Sequence, residues 1–429
     1  MKHEGRQRQF FGFYLIVFGV LMALSLSGNL VTMYLCYELM TITSMPMVLH
    51  SRSHESIMAA LKYLFYSMCG AYCGLFGIFV LYEYSDTLTF MEGGVLNPTL
   101  SSGQTTLILA AVFVMLIGFG AKAGMFPLHA WLPAAHPVAP APASAVMSGI
   151  IAKAGVLAII RVVYYIVGAD FIRGTWVQYG WMTLALLTIF MGSMLAFREK
   201  VFKKRLAYST VSQVSYVLFG LAVLDPAGME GALLHVVFHA LIKSALFLVA
   251  GAIIFKTGET NVDQLEGIGK KMPKLMWCYT FAALALVGIP PFCGFISKWY
   301  LAEGALTADI GVFSWLGPII LLVSALLTAG YLITIVTNGF FPKIKKSDKK
   351  EEELEDKEKP EALEEKEEEK EETAVEAQEK EVPATDTKKT DAPLGMLIPI
   401  GILSALTLIL GIFPGQLISF VSEIAASVL

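Results

Sequence analysis

Charged side chains are scarce in this chain and unevenly spread. Asp, Glu, Lys and Arg make up 16% of its 429 residues. Twenty of the 36 carboxylates, but only twelve of the 32 Lys and Arg residues, fall in one tract, Lys343–Asp391, so the remainder is net basic although the whole chain carries −4. A soluble domain has about a quarter of its residues charged, and that class is excluded. Cysteine is rarer still. Cys36, Cys69, Cys73, Cys278 and Cys293 lie in or beside apolar segments and form no CxxC pair, which reads as buried free thiols. The chain also lacks a Gly-rich phosphate loop, a nucleophile elbow and any iron–sulfur, haem or flavin motif. No cofactor, metal or nucleic-acid partner is expected, and any electrons are carried elsewhere. The opening MKHEGRQRQ leads into an apolar helix without a small-residue cleavage site, so it does not read as a signal peptide.

Apolar sequence is what the chain has in abundance: 55% of its residues are hydrophobic and the mean hydropathy is +0.63. A membrane span needs about 20 mostly apolar residues. Eleven such windows follow one another, at about 10–27, 29–48, 57–83, 104–124, 143–168, 176–196, 206–223, 229–255, 275–303, 312–341 and 394–421. The expected fold is therefore an all-α polytopic membrane protein. Alternate loops carry Lys2/Arg6/Arg8, Arg52, Arg198 to Arg205, Lys256 to Lys274, and the Lys343 tract, whereas the opposite set holds only Arg173. By the positive-inside rule the N-terminus and the tract are expected in the cytoplasm and the C-terminus outside. The tract has almost no large apolar residue and reads as a disordered linker over 343–393. The expected organisation is a short N-terminus at 1–9, a transmembrane domain at 10–342, that linker, and a final helix within 394–429.

Two spans are broken by proline. The fourth breaks at Phe126–Pro127 and carries Lys122; the ninth breaks at Gly288-Ile-Pro-Pro-Phe and carries Lys298. They lie five spans apart and so cross the membrane in opposite directions. Paired, Pro-interrupted spans point to inverted repeats with a site near the midplane, here about 10–168 and 176–341 with the last span appended.

The ionisable residues inside the apolar windows carry the chemistry. A lysine or glutamate at membrane depth must be paired, hydrated or neutral, and by default it marks a pathway. Glu38 lies at the centre of the second span, Lys122 at the first break, Lys153 near the centre of the fifth span and Lys298 after the second break. His235, His239 and Lys243 recur at i, i+4 and i+8, which puts them on one helical face. Lys62, early in the third span, could equally snorkel to the interface, and His129 follows the first break. The seventh span supplies Ser212, Gln213 and Tyr216 among other hydroxyls, able to hold water between titratable groups. Burial lowers a lysine's pKa and raises a glutamate's, so both types can exchange protons near neutrality. A metal site at His235/His239 lacks a third ligand. Each polar residue alone can be explained as helix–helix hydrogen bonding; the row as a whole cannot.

The segments AKAGMFPLHAWLPAAHPVAPAPASAVMSGIIAKAGVLAIIR, KKRLAYSTVSQVSYVLFGL, HVVFHALIKSALFL and GIPPFCGFISKWYL resemble the hallmark segments of antiporter-like membrane subunits. That family spans respiratory complex I, Mrp-type Na+/H+ antiporters and membrane-bound hydrogenases. The resemblance covers spans one to ten. It implies proton translocation by a Glu–Lys pair (Glu38, Lys122), a central lysine (Lys153), a histidine and lysine (His235 or His239, with Lys243) and an exit lysine (Lys298). Members have about fourteen spans, so this chain is expected to lack the first three. The implied function is a proton-translocating, non-redox subunit of a redox-driven pump such as an NADH:quinone oxidoreductase, working with other membrane subunits. The rivals are a Mrp-like Na+/H+ antiporter subunit and a structural subunit with an unused channel; H+ versus Na+ stays open.

Overall fold

The computed structural model describes residues 5–342 and 391–429. Nearly all of the expected linker, and residues 1–4 of the expected N-terminal segment, lie outside them. The helices are α1 (Gln7–Ser25), α2 (Leu30–Val48), α3 (His54–Glu83), α4 (Ser102–Ala123), α5 (Leu132–Val138), α6 (Ala141–Val167), α7 (Trp176–Arg198), α8 (Phe202–Ala222), α9 (Pro226–Thr257), α10 (Pro273–Val287), α11 (Cys293–Thr307), α12 (Phe313–Phe340), α13 (Leu394–Ile412) and α14 (Gly415–Val428). No strand forms among the described residues; extended pairing is limited to isolated bridges such as Ser85 with Leu96. The chain is an all-α polytopic membrane protein.

Side-chain chemistry sets the helix starts. Asn29, Ser53 and Asp225 each accept a hydrogen bond from a first-turn amide, and Ser101 with Gln104 forms a reciprocal capping box, satisfying donors the helix cannot pair internally. Eight segments are long and apolar enough to cross a bilayer: α1, α3, α4, α6, α7, α9, α12 and α13. The remaining expected positions are held by α2, by α8 and by the short pair α10–α11. The first two are less apolar because they carry Glu38 and the KKR…STVSQVS run.

α8 is the axis of the molecule. Every side chain from Ser209 to Ala222 is buried, and it contacts α7, α9, α11 and α12. α1 is peripheral and exposes Phe11, Leu15, Ile16 and Met22, as a lipid-facing helix does.

Both proline breaks exist, and their backbones are alike. α4 ends on Gly124 at φ 82° and α10 on Gly288 at φ 89°, left-handed caps that glycine adopts without penalty. Each is followed by a cis proline bond, Phe126–Pro127 and Pro290–Pro291. Exposed backbone at membrane depth needs partners. At the first break Trp131 Nε1 donates to Ala121 O at 2.7 Å, and Thr188 Oγ1 accepts from Phe126 N at 3.1 Å.

Three stretches differ from the sequence reading. The connector after the fourth span holds the short helix α5. The fifth span widens into π turns at Met147–Ile151 and Arg161–Val167. π turns free carbonyls, and here Lys153 Nζ takes Ser148 O at 2.6 Å, while Met91 N and Val95 N in the loop between α3 and α4 take Tyr165 O and Ile166 O. The last span is two helices, α13 and α14, divided at Phe413–Pro414, because proline has no N–H for a continuing helix. α13 lies against the second break so closely that a Cβ on Gly411 would sit 2.0 Å from Pro291 O.

Candidate functional site

The first cluster forms where α2, α3 and α4 meet. Lys122 stands on the last turn of α4 and is fully buried. Its Nζ donates to Thr41 Oγ1 at 2.5 Å, Tyr63 OH at 3.3 Å and Ser67 Oγ at 3.5 Å, and lies 5.1 Å from the ring centroids of both Tyr37 and Tyr63. Ser44 Oγ and Tyr63 OH are 2.7 Å apart. The ammonium thus rests on hydroxyls and aromatic faces.

Glu38 is not in contact with it. The carboxylate is half-buried on α2, with Tyr34 OH donating to Oε1 at 3.4 Å. The ion pairs formed among the described residues join Arg173 to Asp170, Lys200 to Asp263 and Lys204 to Glu199, none of them in this cluster. No direct Glu38–Lys122 ion pair forms: Lys122 Nζ donates to Thr41, three residues beyond Glu38 on α2, while Glu38 is hydrogen-bonded by Tyr34.

The second cluster lies where α6, α8, α9 and α11 converge. Lys153 Nζ is 2.6 Å from His239 Nδ1. When Lys153 donates, the imidazole proton is on Nε2; a proton passed across leaves a neutral amine and an imidazolium. The His235 and His239 centroids are 5.9 Å apart, and His235 Nδ1 is 2.9 Å from Ser297 Oγ. Tyr216 stacks on His235 at 5.6 Å, with Lys298 Nζ 5.3 Å from the Tyr216 centroid. Lys298 Nζ donates to Leu286 O at 2.7 Å and Val287 O at 2.9 Å, the free carbonyls at the end of α10. Lys243, a further turn along the same face of α9, donates to Leu206 O at 3.0 Å. His235 Nε2, His239 Nε2 and the Gln213 amide are buried with no hydrogen-bond partner among the described residues, a costly state that water or a mobile proton relieves. Among the described residues no ion pair reaches these lysines. Charges so placed repel one another, so protonation of one opposes protonation of the next.

Lys62 is exposed on α3, and His129 is half-buried beside Phe126 at 6.0 Å; among the described residues neither joins a cluster by hydrogen bond. Ser212 belongs to a hydroxyl group between α7 and α12, and Tyr216 OH donates to Leu321 O at 2.8 Å. Sequence reasoning passed over Thr41, Tyr63, Ser67 and Ser148, because single hydroxyls in apolar helices usually bond their own turn. It also passed over His136 on α5, whose ring stacks on Phe247 at 4.5 Å and whose two nitrogens are buried without a hydrogen-bond partner among the described residues. The seven-residue step from His129 through a Pro-bounded segment was the available signal.

The fold and its buried cation row define a multi-pass ion-translocation type of membrane subunit. The family described as NADH:quinone oxidoreductase/Mrp antiporter, transmembrane, matches residues 27–344, and the chain belongs to that family. It is 34% identical over 420 residues to NADH-quinone oxidoreductase subunit N of Desulforudis audaxviator, covering 98% of this chain and 77% of that one. It is 32% identical over 349 residues to a Na(+)/H(+) antiporter subunit of Bacillus subtilis, covering 81% and 69%. Among solved structures, a chain of the Mrp complex from Dietzia sp. superposes with a TM-score of 0.78 at 23% identity, covering 97% of this chain and 77% of that one. A chain of respiratory complex I from Thermus thermophilus gives 0.76 at 21%, covering 98% and 79%. At those identities the structural likeness is one of fold.

Proposed function

We propose that this chain is a proton-translocating, non-redox membrane subunit of a redox-driven pump of the quinone-oxidoreductase type, assembled with other membrane subunits. The observation that carries the reading is the 2.6 Å contact between Lys153 and His239 deep in the bundle, flanked by Lys122 among hydroxyls and Lys298 at the second break. Glu38 and Lys122 form the switch. Lys153, His239 and His235 form the central path, Lys243 its branch toward the Lys-rich loops, and Lys298 its exit. The Lys-rich loops face the cytoplasm and the C-terminus faces outside. Redox drive is favoured by the match to the quinone-oxidoreductase relative, which runs over nearly the whole chain; a Mrp-like Na+/H+ antiporter subunit is the second reading, supported by the match to the Bacillus antiporter. The proteins that co-purify with the chain distinguish these: quinone-reductase or hydrogenase partners fit the first, small antiporter components the second.

The test is translocation by the intact complex in proteoliposomes. Lys122→Ala, Glu38→Ala and Lys153→Ala each reduce it by ~100-fold or more, the scale of a lost proton-transfer group. Parental translocation by all three, with assembly unchanged, removes the proposal.

A further inference from the structure

α8 presents a second polar face, turned toward α7 and α12. Ser209, Ser212 and Tyr216 lie on it at i, i+3 and i+7. Ser193 Oγ of α7 is 2.8 Å from Ser212 Oγ and 2.5 Å from Ser324 Oγ of α12, and Ser212 to Ser324 is 3.2 Å. One turn toward the basic end, Tyr331 OH meets Ser209 Oγ at 2.7 Å and Thr328 Oγ1 at 3.2 Å, while Arg205 holds Tyr331 O at 3.1 Å. One turn the other way stands Tyr216, against His235 and Lys298. Every one of these hydroxyl-bearing side chains is buried.

Helix glue does not account for this pattern. A hydroxyl in an apolar helix usually bonds its own i−4 carbonyl, as Thr328 does with Ser324 O at 2.7 Å, but the Ser193 and Ser324 side chains bond only other hydroxyls among the described residues. A hydroxyl donates one hydrogen and accepts others; Ser212 Oγ donates to Ile189 O at 3.0 Å and accepts from the other two, so the donor direction between Ser193 and Ser324 can reverse. That reversal is what passing a proton along the row requires. A second observation marks the inner end. Gln213, beside Ser212 on α8, has its amide oxygen and nitrogen both buried with no hydrogen bond within 3.5 Å among the described residues, one turn before Tyr216 on the same helix.

We propose that this hydroxyl column is a second proton-conducting branch, running from the basic end of α8 to Tyr216 and Gln213 and there joining the His235–Lys298 part of the row. In each step an oxygen accepts a proton from its neighbour and releases the one it held to the next, so no charge is left behind. The inference rests on the translocation reading above.

The experiment uses the intact complex in proteoliposomes with Ser324→Ala, Thr328→Val and Tyr331→Phe, each nearly isosteric, and with lipid-facing Thr334→Val as control. The three column variants lower protons moved per turnover by about tenfold, with the thermal unfolding midpoint and subunit content unchanged; Thr334→Val leaves translocation at the parental value. A purely structural column shows the opposite: a lowered midpoint or failed assembly with parental translocation per turnover in whatever assembles. That result in any two of the three variants, or assembly failure of all three, overturns the branch. Lys153→Ala run in parallel separates the cases. If it abolishes translocation while the column variants do not, the branch fails and the translocation reading stands; if it too is inert, the translocation reading itself fails.

Discussion

The two breaks share a backbone and differ in what their lysines hold. Lys122 precedes the first glycine cap by two residues, and its ammonium meets three side-chain hydroxyls. Lys298 follows the second glycine cap by ten residues, and its ammonium meets two main-chain carbonyls that the broken helix leaves open. One lysine is held by groups that can also bond each other, as Ser44 and Tyr63 already do. The other is part of the backbone's own hydrogen-bond accounting. Matching proline breaks therefore do not imply matching jobs: the first lysine can leave its place at little cost, and the second cannot.

The covering helices sharpen the contrast and give the largest expected effect. α6 closes over the end of α4 at Gly155, where a Cβ would fall 2.4 Å from Phe119 O and 3.1 Å from Lys122 Cβ. Gly155→Val must push α6, and Lys153 with it, away from Lys122. Overpacking of this kind costs about 1–3 kcal/mol and more where backbone has to move, and translocation should be lost with it. Gly411→Val meets Pro291 O at 2.0 Å but displaces only α13, which carries no member of the row. Thermal midpoints in detergent and translocation in liposomes separate the two: both fall for Gly155→Val, whereas for Gly411→Val the midpoint falls more than the translocation. Equal loss of translocation would mean that α13 shapes the path as much as α6 does.

Removing the lysines tests the comparison directly. Lys298→Met leaves Leu286 O and Val287 O without their donor, at about 1–3 kcal/mol for a buried orphaned group. Lys122→Met removes a buried charge that has no counter-ion in contact among the described residues, and its hydroxyl partners can re-pair, so stability should shift by less than about 1 kcal/mol or improve. Both variants should fail to translocate. If Lys122→Met unfolds the complex as readily as Lys298→Met, the first lysine is structural and the contrast between the breaks collapses.

Much of this was legible from residue order. The breaks announce themselves through Phe-Pro and Gly-Ile-Pro-Pro, the row through isolated charges in apolar windows, and the shared face of His235, His239 and Lys243 through helical spacing. The missing Glu38–Lys122 contact was not legible, because a pattern identifies charges but not that Lys122 turns to Thr41, Tyr63 and Ser67 instead. The hydroxyl column was hidden for a related reason: Ser193 and Ser324 are 131 positions apart, and each alone looks like local helix bonding. The divided last span was missed because Pro414 sits near the end of an apolar run, where a stop and a kink read alike. Lys243 shares its face with the histidines as expected, yet its partner is a carbonyl of α8, a choice fixed by how the helices rotate against one another.

The smallest expected effect belongs to Lys62, the cation adjacent to the first cluster but outside it. Its neighbour in sequence, Tyr63, points inward to Lys122, which turns Lys62 outward to an exposed position on α3. There it shares a surface crevice with Glu55, Phe65, Ala134 and Val138. A long side chain so placed can carry its charge to the interface, and its loss should cost within about 0.5 kcal/mol, as for other surface positions. Lys62→Ala should therefore leave the thermal midpoint in place and lower translocation only mildly, by weakening the positive field near the path. The effect should fade as salt is raised, because an exposed charge is screened over about 8–10 Å at physiological ionic strength, whereas the losses at buried Lys122 and half-buried Lys298 should respond to salt far less. A complete and salt-independent loss in Lys62→Ala would move that lysine into the path and place the first proton-accepting group on the outer face of α3.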